Sequence, residues 1–377
     1  VAGTEGGDAQ WQRLTAAQRA AHEHVARVGA ARLPEARGRL DARMGREARA
    51  SLVASVAASA RVTLSFHPDR LLGPTPGGTV ASSMGRDLRY RSQFETGISN
   101  GSVSAFSGGE REVWERELFG GAYQDAGSGT GERPKYGALN LMDHSDGAAP
   151  RFGSCYLRLR PEVLTRCTLT FGDSHLAPTQ RATASSVEVM FEALMDQADA
   201  TGHALGLPCE DGLCGLALVR QRCARPRDPG LGPNARSLDD YIEVQVHGDI
   251  RLDRDAEAIV ADPSFRGTET GRALAALAAR AEVELAYHPG FSMGPGEVPD
   301  GFRGPEIARL AEFVCERLGE PVLHAELVGR ACASLTSTPE HWTAWGSRTE
   351  ALQRVKKLWH VLVHLGRPLA DDHHHHA

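Results

Sequence analysis

Tyr241, Glu243, Gln245 and His247 alternate with Ile242, Val244 and Val246. That period of two puts a phenol, a carboxylate, an amide and an imidazole on one face of a strand and a β-branched apolar set on the other. Four such groups within roughly 20 Å of strand form a surface that can do chemistry, and the spacing predicts the floor of a cleft. A second alternation, Val62-Thr63-Leu64-Ser65-Phe66-His67, ends at Pro68 and offers Thr63, Ser65 and His67 as another polar face.

Three chemistries are compatible with these residues. Metal-dependent hydrolysis draws on recurring pairs: His67 with Asp69, Asp143 with Asp146, Asp173 with His175, Glu243 with His247. No spacing among them matches a ligand signature such as HExxH, and sixteen His make chance pairs common. Nucleophilic catalysis would need a GxSxG elbow, and Gly172-Asp173-Ser174-His175 lacks the strand–turn–helix setting. Glycosyl transfer from a dinucleotide needs one carboxylate facing an oxocarbenium-like centre and Arg or backbone N–H groups for a pyrophosphate. Glu243, with Arg70 and Arg91 beyond other strands, meets that list without a metal. No GxGxxG or GxxxxGK[ST] string supports a Rossmann or P-loop route.

The elements that must hold these residues are legible in outline. Residues 9 to about 60 show helical spacing (Trp11, Leu14, Ala17, Ala21, Val25, Val28), predicting two or three helices interrupted at Pro34. Strands are predicted at 62–67, 154–159, 167–171, 241–247 and 283–287, and helices at 110–119, 185–200 and 253–259. Past Glu269 helices dominate, at 269–281, 305–318, 322–335 and 347–365. A Gly/Pro loop falls at 73–78, a Gly/Ser loop at 124–133, and a Gly/Pro/Cys-rich stretch at 206–236 with an embedded apolar run from Leu213 to Val219. The class is α+β, a strand-rich centre between helical ends.

Composition narrows the function. A net charge of −6 opposes a general nucleic-acid or anionic-membrane binder, and no apolar run reaches transmembrane length. Seven scattered Cys without a CxxC argue against a zinc knuckle and for a reduced, cytoplasmic protein, one whose delivery into another cell this composition does not oppose. No basic-then-apolar leader opens the sequence. The His373–His376 run reads as a tag or tail and is set aside as a metal site.

Several strings resemble one bacterial family of domains of unknown function: Phe66-His67-Pro68-Asp69-Arg70, the segment Arg89 to Gly97, Lys135-Tyr136-Gly137-Ala138-Leu139-Asn140, Arg151-Phe152-Gly153-Ser154-Cys155, Thr170-Phe171-Gly172-Asp173-Ser174-His175, Phe302-Arg303-Gly304-Pro305 and Leu358-Trp359-His360-Val361-Leu362. The likeness runs from about residue 60 to about 366. The order of an Arg- or His-ended first strand, a Gly-Ser strand, a Thr-Phe-Gly-Asp-Ser strand and a Glu-Val-Gln strand also resembles the ADP-ribosyltransferase superfamily of toxins and effectors.

That resemblance implies an NAD-cleaving core of two small packed β-sheets with helical N- and C-terminal additions. Its bounds would be a helical segment 1–60, a catalytic core 61–265, a mainly helical region 266–370 packed on it, and a tail 371–377. Glu243 would match the catalytic Glu, bonding the nicotinamide-ribose hydroxyl. Arginine-modifying members carry Glu or Gln two residues earlier, where Tyr241 stands here; were Gln245 the marker, the carboxylate would be displaced by two. Either His67 with Tyr136, or Arg70 or Arg91 with Ser174, would complete the set, and Ser154 or Ser174 would replace the first Ser of the absent Ser-Thr-Ser triplet. Gln93 and Thr96 beside Arg91, and Gly153, Ser154, Asp173 and Ser174 at strand ends, complete the expected NAD contacts. The implied activity is mono-ADP-ribosylation of a target protein, with no metal, nucleic acid or membrane. Alternatives are an NAD glycohydrolase, a metal-dependent hydrolase and an inactive binding module. Structural roles stand beside each assignment: Glu243 pairing with an Arg on a solvated face, His67 capping a strand end, Tyr136 packing on a helix, Ser174 capping a turn.

Overall fold

The computed structural model describes residues 9–72, 78–98, 105–224 and 238–369. The expected tail at 371–377, residues 73–77 of the first loop and residues 225–236 of the stretch 206–236 lie outside them. The described part of that stretch includes a helix at Gly212–Cys223, which takes in the apolar run and is opened by the Asp211 side chain accepting from Cys214 N–H. Thr15 opens the first helix, α1 (Ala16–Met44), with a capping box: its hydroxyl accepts from Gln18 N, and the Gln18 amide returns to Thr15 N–H. The expected interruption at Pro34 does not occur. One missing N–H is tolerated because Val25 and Gly29 before it, and Ala36 and Leu40 after it, are all buried against the domain. The break falls at Gly45, whose φ of +85° suits glycine, and α2 (Arg46–Ser59) follows.

Twelve strands were found, eight of them in one sheet ordered β12-β11-β4-β1-β3-β9-β5-β6 among the described residues. These are β1 (Val62–Phe66), β3 (Lys135–Leu139), β4 (Cys155–Leu159), β5 (Cys167–Phe171), β6 (Arg181–Thr183), β9 (Ile242–Val246), β11 (Ala256–Ala261) and β12 (Glu284–Tyr287). All neighbours are antiparallel except β11 and β12. This corrects the expectation of two separate packed sheets: β1 is paired on both edges, so it joins the strands into one ladder.

The ladder nevertheless splits. Against β4, β1 is paired from Thr63 to Phe66, but against β3 only at Val62–Leu139 and Thr63–Ala138. Beyond Thr63 the strands part. Gly137 sits at the parting point, where an added Cβ would lie 2.5 Å from Thr63 O. The α+β class holds, and one apolar cluster joins Leu40 and Leu52 of the N-terminal helices, Leu64 and Ile242 of the strands, and Trp359 near the C-terminus.

The segment 253–259, expected to be helical, is one short turn (Leu252–Asp255) followed by β11. A run of Ala and β-branched residues buried on both faces carries no periodicity that separates strand from helix. The short β2 (Arg89–Tyr90) pairs with β10 (Ile250–Arg251) outside the main sheet. The helices that matter to the cleft are α3 (Val80–Asp87), α4 (Gln93–Thr96), α5 (Glu110–Leu118), α6 (Ala325–Ser337) and α7 (Arg348–Leu365).

Candidate active site

The split between β1 and β3 opens into a cavity of about 280 Å³. Its walls bring together Ser65 and His67 from the end of β1, Tyr136 from β3, Glu243 from β9, and Asp173 and Ser174 from the turn after β5. Arg70, Arg91, Gln93 and Thr96 line the same space. Most of the expected set is therefore gathered at one place.

Glu243 is 6% exposed and its carboxylate receives the Gln245 Nε2 donor at 2.8 Å. Gln245 is itself fixed from behind, accepting from Thr168 Oγ1 at 2.7 Å and donating to Thr170 Oγ1 at 3.2 Å. It is wholly buried and acts through Glu243 rather than at the cavity. Burial, and then the nearby Asp173 charge, push the Glu243 pKa up from 4.5 to about 7, while the Ser174 hydroxyl and Gln245 pull it down. A carboxyl that exchanges its proton near neutrality is suited to acid–base or charge-stabilising work.

The expected cleft floor is narrower than the alternation suggested. A central strand has both faces covered, so its polar positions lie under other elements. Tyr241 receives Arg151 Nη2 at 3.1 Å, packs edge-on to Phe152 and does not line the cavity. His247 is fully buried, bonded to Tyr123 Oη at 2.5 Å and Thr168 Oγ1 at 3.1 Å, and burial drives its pKa well down. Thr63 bonds Ala138 O.

Gly153 and Ser154 also stand outside the cavity. A Cβ on Gly153 would lie 2.2 Å from Phe66 N, so glycine there allows two backbones to touch. Ser154 Oγ lies 3.4 Å from His67 Nδ1 and its carbonyl accepts from His288 Nε2. It positions His67, whose ring meets Trp359 edge-on and whose pKa falls to about 3 through burial and the Arg70 charge.

The phosphate fork expected of Arg91 is partly committed: Nη1 donates to Ser83 Oγ at 2.8 Å and Nη2 pairs with Asp87. Arg89 is likewise tied to Glu95 and Asp249. Tyr136 stands on strand β3 and packs on helix α5, the structural role expected of it: its hydroxyl donates to the buried Glu115 of that helix at 2.6 Å.

Four contributions were not foreseen. Helix α5 places Arg111, Trp114 and Glu115 on one face at i, i+3 and i+4. The Arg111 guanidinium lies 4.5 Å from the Trp114 ring centre and 4.6 Å from that of Tyr136, a cation between two aromatic faces. Burial raises the pKa of Glu115 to about 7. Arg151, from the turn Pro150–Phe152, bridges Asp173 at 3.1 Å, Asp239 and the Tyr241 hydroxyl. Helix α7 sends Lys356 and His360, one turn apart, to the cavity, anchored where Trp359 Nε1 donates to Pro150 O at 3.2 Å. Arg151 and His360 stood within the recognised strings; α5 and Lys356 carried only helical periodicity.

Among the described residues, no three His, Cys, Asp or Glu side chains converge as a metal site would require, and no helix is long and apolar enough to cross a membrane. No curated protein matches the sequence. Residues 61–365 match the family model described as Protein of unknown function (DUF3626). The match runs from the residue before β1 to the last residue of α7 and so takes in every cavity-lining element named above, which makes the chain a member of the DUF3626 family.

Proposed function

We propose that the chain uses NAD as a glycosyl donor, transferring ADP-ribose to a protein side chain with release of nicotinamide. The observation that carries this reading is Glu243: a single buried carboxylate, held by Gln245, facing a cleft opened where the sheet splits. NAD asks for a carboxylate at the ribose–nicotinamide bond, aromatic surface for flat rings and cations for the pyrophosphate. Trp114, Tyr136 and Phe152 supply the second, and Arg70, Arg111, Arg151 and Lys356 the third. In the reaction the ribose C1′–N bond breaks, its electron pair leaving with neutral nicotinamide, and ionised Glu243 stabilises the cationic sugar. The acceptor nucleophile then bonds to C1′ and releases its proton.

One observation favours a second reading, hydrolysis with water as acceptor. Tyr241, two residues before Glu243, is turned toward Arg151 and Phe152. In the arginine-modifying enzymes that the sequence resembles, this position helps to place the acceptor. Incubating the chain with adenylate-labelled NAD and whole-cell lysate separates the readings. Label on protein supports transfer, label in free ADP-ribose supports hydrolysis, and intact NAD contradicts both.

A further inference from the structure

A second compartment of about 380 Å³ adjoins the cleft, and the two share His67, Arg70, Thr96, Arg151 and Lys356 on their common border. Its outer wall is made by the C-terminal helices. Arg348, Leu352, Lys356 and Trp359 recur at three- and four-residue spacing on α7, so one helical face lines the space. Val328, Cys332 and Thr336 do the same on α6.

Arg70, Arg348 and Lys356 come to this wall from the loop after β1 and from two different turns of α7. Among the described residues none of the three has a carboxylate partner. Arg70 Nη1 meets only Cys332 Sγ at 3.0 Å, and Arg348 Nη2 meets Thr336 Oγ1 at 2.9 Å. Lys356 is held below its usual pKa by burial and by Arg151. The acid at this wall, Asp69, is raised to about 7 by burial, so near neutrality it offsets only part of the positive charge. Asp173, the carboxylate that faces Lys356 from the cleft side, is taken up by Arg151. Arg70 and Lys356 are half-buried and Arg348 is exposed. Partly buried cations left without a counter-charge cost folding free energy, and an anion that fills the space between the three offsets that cost.

We propose that the compartment walled by Arg70, Arg348 and Lys356 is a phosphoryl-binding subsite, and that the ligand completing the Glu243 cleft carries a phosphate or pyrophosphate there. The apolar remainder of the wall, Val328, Leu335, Leu352 and Trp359, takes the group that bears it. The subsite deepens the NAD reading and rests on it only for the source of the phosphoryl group. That group belongs either to the dinucleotide, whose far end then reaches past Lys356, or to a phosphorylated acceptor waiting beside the cleft.

Calorimetric titration of the full chain with inorganic pyrophosphate tests the proposal. Binding is expected, weakened roughly 10- to 100-fold in Arg348→Gln and in Lys356→Gln, the loss that goes with one charge-assisted contact. Lys356→Arg, which keeps the charge, should retain most of the affinity, and thermal melts of each variant guard against misfolding. Binding equal in wild type and both Gln variants, or absent from the wild type at millimolar pyrophosphate, overturns the subsite. If pyrophosphate displaces NAD, the dinucleotide supplies the group; if both bind together, the acceptor does. Should pyrophosphate bind as described while NAD is neither bound nor cleaved, the subsite stands and the NAD reading falls.

Discussion

Glu243 must be ionised to stabilise a cationic sugar, and its pKa is held at about 7, so turnover should follow its deprotonation. Below that pKa each pH unit removes nine-tenths of the active form, about 1.4 kcal/mol of lost transition-state stabilisation per unit. The rate of nicotinamide release at low NAD should therefore climb about tenfold per unit from pH 5.5 toward 7 and level off above it. Two substitutions should displace the midpoint in opposite directions. Gln245→Leu removes the 2.8 Å donor to the carboxylate; a hydrogen bond to a charged group contributes about 1.5–3 kcal/mol, so the midpoint should rise by roughly 1–2 units. Asp173→Asn removes the charge that raises the Glu243 pKa, and the midpoint should fall. The assay is nicotinamide release across pH 5.5–9 in the wild type and both variants. A flat profile, or a midpoint that moves the same way in both, would refute the assignment of Glu243 as the titrating group.

Further outcomes follow from the same structure. Gly153→Ala, with its Cβ 2.2 Å from Phe66 N, should cost roughly 1–3 kcal/mol in urea denaturation; an unchanged midpoint would mean the two backbones can separate freely. Glu115 is an acid whose folded pKa, about 7, lies above its ordinary 4.5, so the stability tied to its protonation is present at acid pH and lost as pH rises through 7. The decline in unfolding free energy between pH 5 and 8 should be shallower in Glu115→Gln, and an identical slope would count against the raised pKa. In the proposed reaction the electrophile is built into NAD, so turnover should survive exhaustive EDTA; loss of activity restored by one divalent metal would favour metal-assisted hydrolysis.

The sequence made some of this site legible and hid the rest for identifiable reasons. The alternation from Tyr241 to His247 marked β9 and put Glu243 on its polar side, because a paired strand keeps that period whatever surrounds it. It could not say that His247 lies bonded to Tyr123, or that Tyr241 lies beneath Arg151, since what covers each end of a strand is set by distant segments. Strand β3 escaped because Lys135-Tyr136-Gly137-Ala138-Leu139 lacks alternation and carries a glycine where the sheet parts. Strand β11 escaped because an Ala-rich run reads equally as helix. Trp114 and Lys356 sat on helices that were expected, but helical spacing alone does not say which face meets a cleft.

The central claim is that Glu243 is the carboxylate of an NAD-cleaving site, and nicotinamide release by the full chain and by Glu243→Gln tests it most directly. Glutamine keeps the shape and can still accept from Gln245, so the variant isolates the charge. With labelled NAD and lysate at pH 8, the wild type should release nicotinamide and pass ADP-ribose to protein or water. Glu243→Gln should be about 100- to 1000-fold slower, the usual cost of losing one preorganised electrostatic partner. Equal rates in the two proteins, or no release by the wild type anywhere between pH 6 and 9, would contradict the account.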